Sequence, residues 1–93
     1  MIIGLLTLRL RISYAQSLKD KRRVIKSLLT KTKNKFNVSI SEISDLDSWH
    51  YATIGAAFVT NDTTHAHQML NQLEGYLVSN PDFEIIKVEK ELL

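Results

Sequence analysis

Cysteine is absent from the 93 residues, the only proline is Pro81, and the three glycines, Gly4, Gly55 and Gly75, are scattered. Without thiols the chain can form neither a disulfide framework nor a thiolate zinc site, and it has no cysteine nucleophile. That fits a reducing cytoplasm, the expected location. So few glycines leave no phosphate-cradling loop, and neither G-x-S-x-G nor H-E-x-x-H occurs. Long apolar runs are missing too. The stretch from Met1 to Leu8 lacks a basic leader and meets Arg9 too early for a signal peptide or a membrane span. No linker, repeat or low-complexity segment divides the chain, so residues 1–93 are read as one domain. These absences disfavour an enzyme and leave a binding module as the expectation.

What is present is periodicity. From Ile2 to Ile12 the even positions are Ile, Gly, Leu, Leu, Leu and Ile, a strand with one buried face. Ser17-Leu-Lys-Asp20 resembles a capping box, with aspartate for the usual Glu or Gln, and opens a helix to about Phe36. Leu18, Ile25, Leu28, Leu29, Thr32 and Phe36 share roughly 100° of its circumference as a core stripe. Alternation returns from Val38 to Ser44, Asp45–Ser48 is turn chemistry, and a longer strand is predicted from Trp49 to Thr60. Asn61–Thr64 offers caps for a second helix with Ala66, Met69, Leu70, Leu73 and Leu77 inward. Asn80–Asp82 ends it, and Phe83 to Glu91 reads as the last strand. Two crossovers around a hairpin give an α+β, ferredoxin-like β-α-β-β-α-β sandwich. Its antiparallel sheet has order 4-1-3-2, with both helices on one face.

Charge is unevenly divided. Residues 1–41 hold ten Lys or Arg against Asp20 alone, while residues 42–93 hold Lys87 and Lys90 against nine acids. Such asymmetry predicts one side facing a polyanion. Neutralisation between the two halves is the bland alternative.

Several blocks taken together resemble the YlxP-like family of small bacterial proteins, a domain of unknown function. They are Ile3–Leu10, Ser17-Leu-Lys-Asp-Lys-Arg-Arg-Val24, Phe36–Ile40 with Glu42, and Asp47, Trp49, Ala52 and Gly55-Ala-Ala57. The match runs nearly the whole length, and the Ser-Leu-Lys-Asp-Lys-Arg-Arg block is its most specific part. The resemblance implies the ferredoxin-like fold and a genetic setting among transcription-elongation, translation-initiation and ribosome-maturation factors. It implies no activity and no catalytic residues. Members tend to carry a polar or basic residue where this chain has Tyr51, so no role for Tyr51 follows from it.

On the first helix Lys19, Arg22, Arg23, Lys26 and Lys33 span roughly 100° beside the core stripe, with no glutamate four residues away. An unpaired stripe of one sign fits the phosphates of RNA, free or in a ribosomal subunit. Arg9 and Arg11, on the open sheet face beside Trp49 and Tyr51, are expected as secondary contacts, although no RRM aromatic signature is present. The runner-up is a protein-interaction or homodimerising module that packs through Ile3, Leu5, Ile43 and Val59 on the open face. A metal is not expected. His65-Ala-His67 places two imidazoles roughly 160° apart on a helix, Asp45 and Asp47 suit a turn, and Glu42 with Asp47 lies in no evident pocket. No cofactor is expected either.

Overall fold

The alternating opening segment forms β1 (Ile2–Arg11) in the computed structural model, which describes all 93 residues. Its even positions Leu6, Leu8 and Leu10, with Ile12 just beyond, are buried. Ser17 then caps α1 (Leu18–Lys35), its Oγ accepting from the Asp20 amide at 3.0 Å. Asp20 answers by accepting from the Gln16 amide at 3.1 Å. Its short side chain therefore reaches the amide before the cap, where a glutamate would reach the cap itself.

The hairpin follows as β2 (Ser39–Ser44) and β3 (Tyr51–Thr60). The third strand starts two residues later than expected, and the turn explains why. Asp45 adopts the left-handed conformation (φ 63°), its carbonyl accepts from the Ser48 amide at 3.0 Å, and Ser48 Oγ accepts from the Tyr51 amide at 3.1 Å. Trp49 and His50 are held in that loop. Asp62 caps α2 (Thr63–Val78), accepting from the amides of Thr64 and His65. The last strand, β4 (Glu84–Leu92), begins after Phe83, which is buried in the core.

All pairings are antiparallel and the sheet order is β2-β3-β1-β4, the expected order read from the opposite edge. Both helices cover the face that carries Leu6, Leu8 and Leu10, and one cluster of seventeen residues makes the core. Gly4 is needed here: a Cβ on it would come within 2.6 Å of the Phe58 ring, its cross-strand partner. A register shift opposite Arg9 and Leu10 leaves Ile86 outside the pairing, with its side chain exposed.

The topology gathers three loops at one end. Arg11 closes β1 there, paired with Tyr51 at the start of β3 and with Glu84 at the start of β4. The first turn of α1 lies at the same end. No helix is long and apolar enough to cross a membrane.

Candidate nucleic-acid interface

Helical spacing puts Lys19, Arg22, Arg23, Lys26 and Lys33 on the outer surface of α1, all exposed. None of them, nor Lys31 or Lys35 further round the helix, lies within ion-pair distance of a carboxylate; Lys35 instead places its ammonium 4.9 Å from the Tyr76 ring centre. Every cation elsewhere and the one buried in α1 is paired. The pairs are Arg9–Asp45 at 3.3 Å, Arg11–Glu84 at 3.8 Å, Lys21–Glu42 at 2.8 Å, Lys87–Glu89 at 2.8 Å and Lys90–Glu74 at 2.7 Å. The division is by element.

The stripe borders a groove of about 360 Å³ between α1 and edge strand β2. Arg22, Lys26 and Lys33 form one wall, Ile25 and Leu29 line it lower down, and Ser41 and Glu42 complete it from β2. A rail of cations beside an open strand edge can hold the backbone of a polyanion. Arg9 and Arg11 lie away from it, on the uncovered face of the sheet. Each already has a carboxylate, and Arg9 also covers the Tyr51 ring at 4.5 Å from its centre.

The residues expected to pack against a partner do come together. Ile3 and Val59 are cross-strand neighbours, Leu5 pairs with Ala57 beside them, and Ile43 lies over Gly55 in the same face. Val59 and Ile43 are exposed, whereas Ile3 and Leu5 are half-buried.

Lys21 is the residue that sequence reasoning missed. It is completely buried at the foot of α1, with its ammonium 2.6 Å from the Asp45 carbonyl, to which it donates. Glu42 Oε2 is also buried, 2.8 Å from the same ammonium, and has no other polar partner. The signal was available. At 100° per residue Lys21 falls between Leu28 and Thr32, inside the core stripe, and Glu42 shares the inward parity of Ile40.

Asp45 connects this buried pair to the open face. Its Oδ2 accepts from Thr53 Oγ1 at 2.7 Å and from Arg9 Nε at 3.3 Å. The Thr53 hydrogen bond, then Arg9 and Lys21, hold the carboxyl below its ordinary range against partial burial. As pH falls, the unfolded chain takes up that proton first. Asp45 thus stabilises the fold fully above the unfolded value of about 3.9, and this is lost as pH drops through the lowered native one. Asp45→Asn, which tolerates the left-handed backbone, is expected to be less stable than the parent at neutral pH. Urea unfolding should show the gap closing below about pH 4; an equal gap at both pH values would make the charge irrelevant.

At the loop end, His50 Nε2 lies 2.9 Å from the Ala15 carbonyl, and the Ile12 amide donates to the His50 carbonyl at 2.7 Å. Partial desolvation first, and the nearby Asp82 carboxylate second, raise the hydroxyl of the otherwise exposed Tyr14 above its ordinary range. His65 and His67 are exposed on α2, and no three His, Cys, Asp or Glu side chains are grouped to hold a metal ion.

Comparison with known proteins places this architecture. The family model described as "Protein of unknown function (DUF503)" matches residues 3–90. The chain is also similar to the uncharacterized protein YlxP of Bacillus subtilis (strain 168), 41% identical over 70 residues that cover 75% of this chain and 76% of that protein. With a family model spanning nearly all of the paired strands and both helices, the chain belongs to the DUF503 family, alongside YlxP.

Proposed function

We propose that the chain is a cytoplasmic RNA-binding module, acting on free RNA or on a ribosomal subunit, with α1 as its electrostatic footprint and no chemical step of its own. The observation that supports this is the partition of cations. Seven exposed Lys and Arg of α1 have no carboxylate, whereas all five other cations do. Like charges on one helix face repel, and an unpaired set is favourable where an external polyanion exchanges its counterions for them. Arg9 and Arg11, held by Asp45 and Glu84, are secondary in this reading. The ribosomal alternative comes from the setting that the resemblance to YlxP-like proteins implies.

The test is fluorescence anisotropy of a labelled RNA at increasing salt. Five stripe contacts predict a slope of log K against log salt of about −3.5, at roughly 0.7 per phosphate of a single strand. Binding that ignored salt would reject the stripe and favour the apolar corner of Ile3, Leu5, Ile43 and Val59 as the contact surface, since apolar packing is not weakened by salt.

A further inference from the structure

We infer that the loop end beside the first turn of α1 is a stacking platform for unpaired bases, so that the RNA held by this chain is single-stranded. The inference rests on the RNA-binding reading above and adds which form of RNA is bound. The cationic groove between α1 and β2 has no aromatic side chain along it, so by itself it reads phosphates only. Tyr51 does not serve either, since Arg9 already covers its ring.

The exposed aromatics lie instead on two loops, Trp49 at 51% and Tyr14 at 54% exposure, with Leu46 also exposed beside the same turn. These loops are fixed to each other and to the cationic helix. The Ile12 amide donates to the His50 carbonyl, His50 Nε2 meets the Ala15 carbonyl, and Lys21 in the first turn of α1 donates to the Asp45 carbonyl. Trp49 and Tyr14 are therefore held at the end of α1 where the stripe begins. Large rings left in water on hydrogen-bonded loops are a preformed surface for the faces of bases, and the unpaired cations of α1, which begin at Lys19 in its first turn, would hold the phosphates that join those bases, since the charge beside Tyr14 is the Asp82 carboxylate. A duplex keeps its bases stacked on one another and offers none to such a surface.

Trp49 is the only tryptophan, so emission excited at the red edge, where tyrosine does not absorb, reports on the platform alone. The full chain at low salt is titrated with a short single-stranded RNA, a blunt RNA duplex of equal length, and inorganic polyphosphate. Single-stranded RNA is expected to quench Trp49 and to bind about tenfold more tightly than the duplex, in line with one stacked base. Polyphosphate should leave the emission unchanged. Trp49→Ala should lose about that tenfold for the single strand and nothing for the duplex, while Trp49→Phe keeps most of it. If the alanine variant folds poorly, the parent's own affinities for the two RNA forms and its response to polyphosphate decide. Equal affinity of the parent for both RNA forms, with Trp49→Ala unchanged, would overturn the platform and leave the helix reading standing. Quenching by polyphosphate as strong as by single-stranded RNA would overturn it as well. Binding of neither RNA at low salt would instead overturn the RNA-binding reading, and the platform with it.

Discussion

Replacing Arg22, Lys26 and Lys33 together with glutamate is expected to weaken RNA binding by at least about a hundredfold near 0.1 M salt. These three form one wall of the groove beside β2, and no carboxylate shields them. Losing three phosphate contacts should also flatten the salt slope by about two units, because each contributes roughly 0.7. The three side chains are exposed, so the unfolding midpoint should stay near the parent's. Net charge changes by six units in this variant, and a control must match it. Lys87 and Lys90 reversed to glutamate, with Gln68 and Asn71 also made glutamate, change the net charge equally and lie off α1. Equal losses in the variant and the control would show that overall charge matters and the stripe does not.

The largest stability effect is expected at Lys21. In Lys21→Met the aliphatic stem is retained while Glu42 and the Asp45 carbonyl lose the only cation between them. Removing one partner of a buried pair typically costs 3–5 kcal/mol, because the remaining charge is left without compensation. Glu42 keeps 13% of its side chain in contact with water, which places the expected loss near the lower end, about 3 kcal/mol. In a domain of this size that lowers the thermal midpoint by roughly 10–20 °C. Adding Glu42→Leu should recover most of the loss, since apolar replacement of both members is often neutral or stabilising. Chemical denaturation of both variants decides it. A Lys21→Met protein as stable as the parent would mean that the pair contributes nothing to the fold.

The elements were legible wherever a period was unbroken. Leu6, Leu8, Leu10 and Ile12 announced β1 by alternation alone, and Ile25, Leu28 and Thr32 defined the inward face of α1. The predicted start of β3 falls two residues early because Trp49 has good strand propensity, while local bonds around Asp45 and Ser48 keep it and His50 in a turn. The cationic stripe could be drawn from spacing, since side chains at i, i+3, i+4 and i+7 share a face whatever the fold. Its lack of partners could not, because ion pairs such as Arg9–Asp45 and Lys90–Glu74 form between residues distant in sequence. Spacing leaves Lys21 outside the cationic stripe of its neighbours and assigns it no role. Only its angular position and the inward parity of Glu42, considered jointly, mark it as buried.

That burial gives the molecule a built-in chemical label count. Of eight lysines, seven present their amines to solvent or to half-exposed partners, and one is enclosed completely. Acylation requires a neutral amine that the reagent can reach. Lys21 fails the second condition while α1 rests on the hairpin, being enclosed completely with its amine against Glu42 and the Asp45 carbonyl. Mild treatment of the native chain should therefore add seven lysine acyl groups quickly, apart from the terminal amine. The eighth should follow only at the rate at which the foot of α1 swings away from the β2–β3 turn, so the mass of the labelled protein becomes a clock for that opening.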